Sequence, residues 1–238
     1  MLFNIHPSWQ KIIDSALNEL NGEYLEFLKN DDSFFPNRDN FLNAFKTLPL
    51  NKTKYILFGQ DPYPRVESAT GYAFIDGKVK SIFSPTGLSK EVNRATSLRN
   101  FIKMLLVCER KLTNDFSQEK ISKIDKKEYI DSIDDLRVNF EKNGILLLNT
   151  ALIFTKKEES KKHIKEFKNF TLQLLKELQG RDIKLILFGN SAKDLMKFEL
   201  LQNFEAVKVP HPYNHSFINN NEVVEFFREM RLLQDIDE

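Results

Sequence analysis

Four short apolar runs, 55–58, 145–148, 184–188 and 206–209, constrain this chain most, because none of them alternates apolar with polar residues. A strand solvated on one face alternates; a short run that does not is a strand buried on both faces, as in parallel sheets covered by helices. Between and around the runs lie helical patterns at 8–28, 90–107, 130–142, 164–178, 191–200 and 222–233. Gly144 and Gly180 follow two of these patterns where a helix stop is expected. Strands alternating with helices predict an α/β fold: a single domain over 1–238 with a central four-stranded, mainly parallel sheet flanked by helices on both faces. The stretch 109–129, rich in Lys, Asp and Glu, is the expected irregular insertion.

Composition narrows the classes of chemistry. At 41% hydrophobic and 29% charged residues the chain has the balance of a folded soluble protein. It contains no run of 18 apolar residues, and Met1-Leu2-Phe3-Asn4-Ile5-His6 lacks the basic-then-apolar pattern of a secretory signal, so a cytoplasmic, nucleoid-associated location with no membrane partner is expected. Cys108 is the one cysteine, which excludes a disulfide within the chain, thiolate-held zinc and a four-cysteine cluster. In its apolar surroundings it reads as a buried thiol. A net charge of +1 decides nothing about nucleic acid, since a local basic face matters more than the total.

In a parallel sheet, ligands bind beyond the carboxyl ends of the strands. Here the exits are polar: Gly59-Gln60-Asp61, Asn149-Thr150, Gly189-Asn190-Ser191 and Pro210-His211-Pro212. Asp61 and Tyr63 each precede a proline, which disfavours helical backbone for the residue before it and makes Gly59-Gln60-Asp61-Pro62-Tyr63-Pro64 a stiff loop. A carboxylate held beside an aromatic wall suits a flat polar ring; the same hexapeptide also reads as an ordinary turn with a solvated Asp. Each exit alone reads as a cap or turn, whereas a carboxylate, a carboxamide, a small loop and an imidazole converging would form a site.

Gly59-Gln60-Asp61-Pro62-Tyr63, Gly71-Tyr72-Ala73-Phe74, Leu146-Leu147-Leu148-Asn149-Thr150 and His211-Pro212 resemble, in that order, the motifs of family 1 uracil-DNA glycosylases. The likeness runs from about 54 to 217, and Phe74 stands at the family's offset of thirteen residues from Asp61. It implies a monofunctional hydrolase that flips uracil out of DNA and cleaves its N-glycosidic bond, working without metal or cofactor as a monomer. The implied catalytic residues are Asp61, which orients water toward the sugar, and His211, which donates to uracil O2. Gln60, Tyr63, Phe74 and Asn149 are implied to hold the base: Phe74 by stacking, Asn149 by reading its edge, Tyr63 by excluding a C5 methyl. Asn149 then separates uracil from cytosine, because a carboxamide left unpaired costs factors of roughly 10⁴ in selectivity. DNA contacts fall to Ser97, Gly189, Asn190, Tyr213, His215 and Ser216. Uracil-containing DNA, single- or double-stranded, is the implied partner, and a proteinaceous DNA-mimic inhibitor is admitted as a second.

Departures from the pattern concern DNA handling. Pro64 stands where the family usually has His, and Asn190 replaces the Ser of its Gly-Ser loop. In place of Ser-Pro-Leu-Ser the chain has Tyr213-Asn214-His215-Ser216-Phe217, so His215, Tyr213 and Phe217 are all candidates for the wedge that fills the gap left by an extruded base. Of Lys78, Lys80, Lys90, Arg94, Arg99 and Lys103, at least half read as a solvated helix face. The basic run Lys156-Lys157 and Lys161-Lys162-His163 brackets Glu158-Glu159, which weakens it as a phosphate contact. Two other readings stay open: a non-catalytic DNA-binding module of the same fold, and a related glycosylase with broader base choice.

Overall fold

A computed structural model describes residues 4–189 and 198–235. In chain order its strands are β1 (Tyr55–Gly59), β2 (Phe83–Ser84), β3 (Gly87–Leu88), β4 (Ile145–Asn149), β5 (Lys184–Phe188) and β6 (Ala206–Val209). The helices are α1 (Gln10–Leu17), α2 (Gly22–Asn30), α3 (Lys90–Arg94), α4 (Thr96–Cys108), α5 (Gln118–Ser122), α6 (Ile133–Lys142), α7 (Ser160–Leu178) and α8 (Asn221–Arg228), joined by short 3-10 turns. The contacts gather the chain into two compact units, Met1–Asp76 with Gly144–Val207 and Gly77–Asn143 with Lys208–Glu238.

All four expected strands form, in one sheet of order β4-β1-β5-β6 flanked by helices. β1 pairs in parallel with β4 from Tyr55↔Ile145 to Gly59↔Asn149, and with β5 from Tyr55↔Lys184 to Phe58↔Leu187. That register puts the carboxyl ends of β1 and β4 side by side. Ile56, Phe58, Leu146, Leu148, Leu185 and Leu187 enter the core of the first unit with Trp9, Phe41, Phe45, Phe167 and Phe170. Leu57, Leu147 and Ile186, pointing to the other face by the period of two, are equally buried, which is why the runs do not alternate.

The helices depart from expectation where capping chemistry interrupts the apolar pattern. The run 8–28 is split into α1 and α2, because the Asn21 side chain accepts hydrogen bonds from the N–H groups of Glu23 and Tyr24 and starts a new helix. The run 90–107 is broken at Ala95, whose backbone leaves the helical region at φ −92° and ψ 86°. Ser132 caps α6 by accepting from Asp135 N–H, so that helix begins at Ile133 rather than 130. α7 starts four residues before the expected 164, and α8 ends at Arg228, short of 233. Of the helix expected at 191–200, residues 190–197 lie outside the described residues, and Glu199–Asn203 is a 3-10 turn. The insertion is not wholly irregular: α5 lies within it, and Gln118 accepts from Leu88 N–H at 2.7 Å and donates to Asn93 at 2.8 Å.

In the second unit Phe101 is the hub of an aromatic cluster, with ring centroids of Phe140, Phe217 and Phe227 at 5.7, 6.0 and 5.3 Å. Cys108 is buried there, and desolvation pushes its thiol up to about 12, as expected of a core thiol. In the first unit the start of α7 is fixed by a buried histidine. His163 meets the Tyr24 hydroxyl through Nδ1 at 2.7 Å and the Thr155 hydroxyl through Nε2 at 2.8 Å. Burial holds its pKa below the ordinary 6.5, against the opposing pull of Glu159.

Two outcomes are expected. Leu57→Ala, which empties a fully buried site at the centre of the sheet, costs about 2–5 kcal/mol in urea unfolding. The native state keeps His163 neutral while the unfolded chain protonates near the ordinary value, so its stabilising contribution is intact above about pH 6.5 and is lost as pH falls toward the depressed native pKa. The urea midpoint therefore drops on acidification, and His163→Gln shows a smaller drop over the same pH range.

Candidate active site

The parallel pairing of β1 and β4 continues past the strands as hydrogen bonds. Thr150 N–H donates to Gly59 O at 3.0 Å, Ala151 N–H to Gln60 O at 2.9 Å, and the Thr150 hydroxyl to Gln60 O at 2.7 Å. The two exits are thereby one rim. Gly59 is required by its neighbour: a Cβ there would sit 2.2 Å from Asn149 Oδ1 and 3.0 Å from Ala73 Cβ. Asn149 itself is only 6% exposed, and its Oδ1 occupies the space beside the Gly59 backbone. A carboxamide at that point carries both a donor and an acceptor to the rim.

Asp61 follows that rim and is half-buried. The Ser160 hydroxyl, on the first residue of α7, donates to its Oδ2 at 2.5 Å. Tyr63 is half-buried as well; burial, reinforced by the Asp76 carboxylate, raises its phenol well above the ordinary range, so it stays protonated. The side chain of Gln60 is exposed, leaving its backbone as the part built into the rim. Pro64 is exposed beside it, with Arg65 N–H donating to Tyr63 O at 2.8 Å.

Phe74 reaches the same unit from the segment after Gly71. Its backbone lies at φ 71°, a conformation that costs a bulky side chain energy and that clusters at functional sites. The segment is braced by the Thr70 hydroxyl donating to Ile75 O at 2.9 Å and by Asn43 Nδ2 donating to Thr70 O at 2.8 Å. Gly71, at φ 86°, passes so close to Asn40 that a Cβ would lie 2.0 Å from its carbonyl oxygen. The Phe74 ring rests 5.5 Å from Phe188, the last residue of β5. Gly189 follows at φ 59°, and Asn190 lies outside the described residues.

The second unit holds the remaining candidates. His211 Nδ1 accepts from Tyr213 N–H at 3.0 Å, and burial lowers its pKa. The ring is therefore neutral with its proton on Nε2, a donor. Asn100, buried one turn along α4 from Ser97, donates to Pro212 O at 2.8 Å and Tyr213 O at 3.3 Å and fixes this loop. Ser97 is the second residue of α4, a helix whose N-cap, Ala95, supplies no side-chain hydrogen bond to its first turn. Tyr213 is 66% exposed, Ser216 is exposed, and His215 packs edge-on against Phe116 of the insertion at 5.8 Å. Phe217 is fully buried against Phe101, which removes it from the wedge candidates.

Ser160, His163 and Asn100 were not identifiable from the sequence as parts of this arrangement. His163 reads as one more member of a basic run, yet it is buried and neutral. Arg99, one of the six candidate phosphate contacts, donates to Asn93 O at 3.2 Å and so has a role within α3 and α4. No group of His, Cys, Asp and Glu among the described residues could hold a metal ion, and no helix among them is long and apolar enough to cross a membrane.

A profile of the uracil DNA glycosylase superfamily matches residues 45–231. The uracil-DNA glycosylase of Fusobacterium nucleatum is 30% identical, with 87% of this chain and 81% of that protein covered. Among solved structures, the UNG of Nitratifractor salsuginis superposes with a TM-score of 0.95 at 49% identity, covering 97% of this chain and 93% of that one. A mimivirus UNG variant in complex with UGI shares the fold at a TM-score of 0.57 and 17% identity, covering 87% of this chain and 70% of that one. With the motif residues on the strand exits and the match spanning most of its length, the chain belongs to the uracil DNA glycosylase superfamily.

Proposed function

We infer that this base-excision glycosylase hydrolyses the N-glycosidic bond of uracil in DNA, with its labour divided among the polar strand exits. The observation that carries the reading is the rim joining β1 to β4, which sets Asn149 against Gly59 and continues directly into Asp61. Flipping a base out of DNA costs a few kcal/mol, and stacking on an aromatic ring returns about 1–3 kcal/mol, the role of Phe74. Asn149 reads the uracil edge, accepting from N3–H and donating to O4. Tyr63 stands at C5, where the methyl of thymine would collide.

Cleavage leaves cationic character on the sugar and an anion on the base. Asp61 faces the first charge and orients the attacking water. His211 meets the second: with Nδ1 occupied by Tyr213 N–H, a neutral ring has its Nε2–H to donate to uracil O2. The backbone of Gln60 adds to the ring contacts. On the DNA strand, Ser97 at the uncapped start of α4, Gly189, Asn190 and Ser216 contact phosphates. Tyr213 is the wedge, being the exposed aromatic of its loop with its carbonyl tied down by Asn100. The enzyme works as a monomer in the cytoplasm at the nucleoid. UGI is bound to the mimivirus relative, and a protein that mimics DNA is the corresponding inhibitor proposed for this one.

Two measurements test these assignments. Uracil-containing single- and double-stranded oligonucleotides, incubated with the protein and then cleaved at abasic sites with alkali, are expected to break at uracil, and Asp61→Asn to lower the rate at least about 10²-fold. Binding without turnover would favour the non-catalytic module instead. Tyr63→Ala is expected to release thymine from the same oligonucleotides; complete rejection of thymine by that variant removes Tyr63 from its role, and release of xanthine or hypoxanthine by the unaltered protein favours the broader glycosylase.

A further inference from the structure

We propose that Ser160 is a positioning residue for Asp61, which rests on the catalytic role given to that carboxylate. The Ser160 hydroxyl donates to Asp61 Oδ2 at 2.5 Å, although 99 residues separate the two along the chain. A carboxylate on a loop can rotate about two side-chain bonds; a charge-assisted hydrogen bond to one oxygen fixes that rotation and leaves Oδ1 to face the reacting centre. Ser160 has a single proton, and giving it to Oδ2 decides which of the two oxygens is held.

The donor is itself held from behind. Ser160 opens α7, a helix of 19 residues that starts directly after the N-cap Glu159, so its hydroxyl is carried by an ordered helix start and not by a loop. His163 lies on the same side of that turn, three residues on, and is clamped between Tyr24 and Thr155 with 1% of its surface exposed. Rotation or fraying of the turn would break both clamps. Asp61 is thus aimed by the ordered start of α7 as well as by its own proline-stiffened loop.

The test compares the unaltered protein, Ser160→Ala, Ser160→Thr, Asp61→Asn and the double variant in single-turnover excision of uracil from a single-stranded oligonucleotide, with melting temperature followed in parallel. Loss of a hydrogen bond to a charged group predicts an excision rate about 10- to 100-fold lower for Ser160→Ala, with the half-saturating DNA concentration unchanged. Ser160→Thr keeps the hydroxyl and restores most of the rate. Adding Ser160→Ala to Asp61→Asn costs nothing further, because one residue acts through the other. An unchanged rate in Ser160→Ala overturns the inference, as does a loss that multiplies with that of Asp61→Asn, or a weaker grip on DNA at an undiminished rate. If Ser160→Ala does not fold, Ser160→Cys, close in shape with a weaker donor, replaces it under the same criteria. Full activity of Asp61→Asn alone would instead refute the role of the carboxylate itself, which separates the two failures.

Discussion

Everything on the rim of the first unit hangs on how closely β1 and β4 approach at their carboxyl ends. Gly59 and Asn149 are register partners, and the space beside the Gly59 backbone is filled by the Asn149 carboxamide. Because the pairing runs on through Thr150 and Ala151 to Gln60, the residues that carry polar groups are continuous with the sheet and share its rigidity. Side chains held by strand ends need little reorganisation when a ligand arrives, which is the condition for fixed dipoles to act on a developing charge. A single methyl group at position 59 would break that continuity at its narrowest point.

Charge is handled economically in each unit. Desolvation keeps both the buried His163 and the half-buried His211 neutral, and in each the hydrogen-bond partners define which nitrogen is committed. His211, with Nδ1 taken by a backbone N–H, is left as a donor through Nε2, whereas His163 has both nitrogens engaged and is a structural post. The same residue type thus offers a ring donor in one unit and anchors a helix in the other. Neither needs to be protonated for its purpose.

β1, β4 and β5 were legible in the sequence because burial on both faces leaves an unmistakable pattern; β6 forms where expected although Lys208 is exposed and only Val209 is buried, and the polar exits could be read from the end of each run. The helix boundaries were less so. Asn21 and Ser132 act as caps within stretches whose apolar spacing continues across them, and Ala95 breaks a helix by backbone conformation alone. Phe217 looked equivalent to Tyr213 as a wedge, since an aromatic side chain in a loop carries no mark of whether it is buried; the cluster around Phe101 decides it. Ser160 was illegible for a different reason. Its partner is distant in sequence, and only the start of α7, one turn earlier than the periodicity suggests, brings the two together.

Phe74 sets stability against use. A phenylalanine at φ 71° holds backbone strain of about 1–3 kcal/mol that glycine at the same position would relieve. Yet glycine has no ring. The change that would most relax this segment is also the one that discards its aromatic surface, so selection for a sturdier fold and selection for a stacking platform pull this position in opposite directions. Under the stacking role proposed for Phe74, a left-handed phenylalanine is the mark of use prevailing over ease of folding, and the brace from Thr70 and Asn43 is the part of the fold that holds the strained segment.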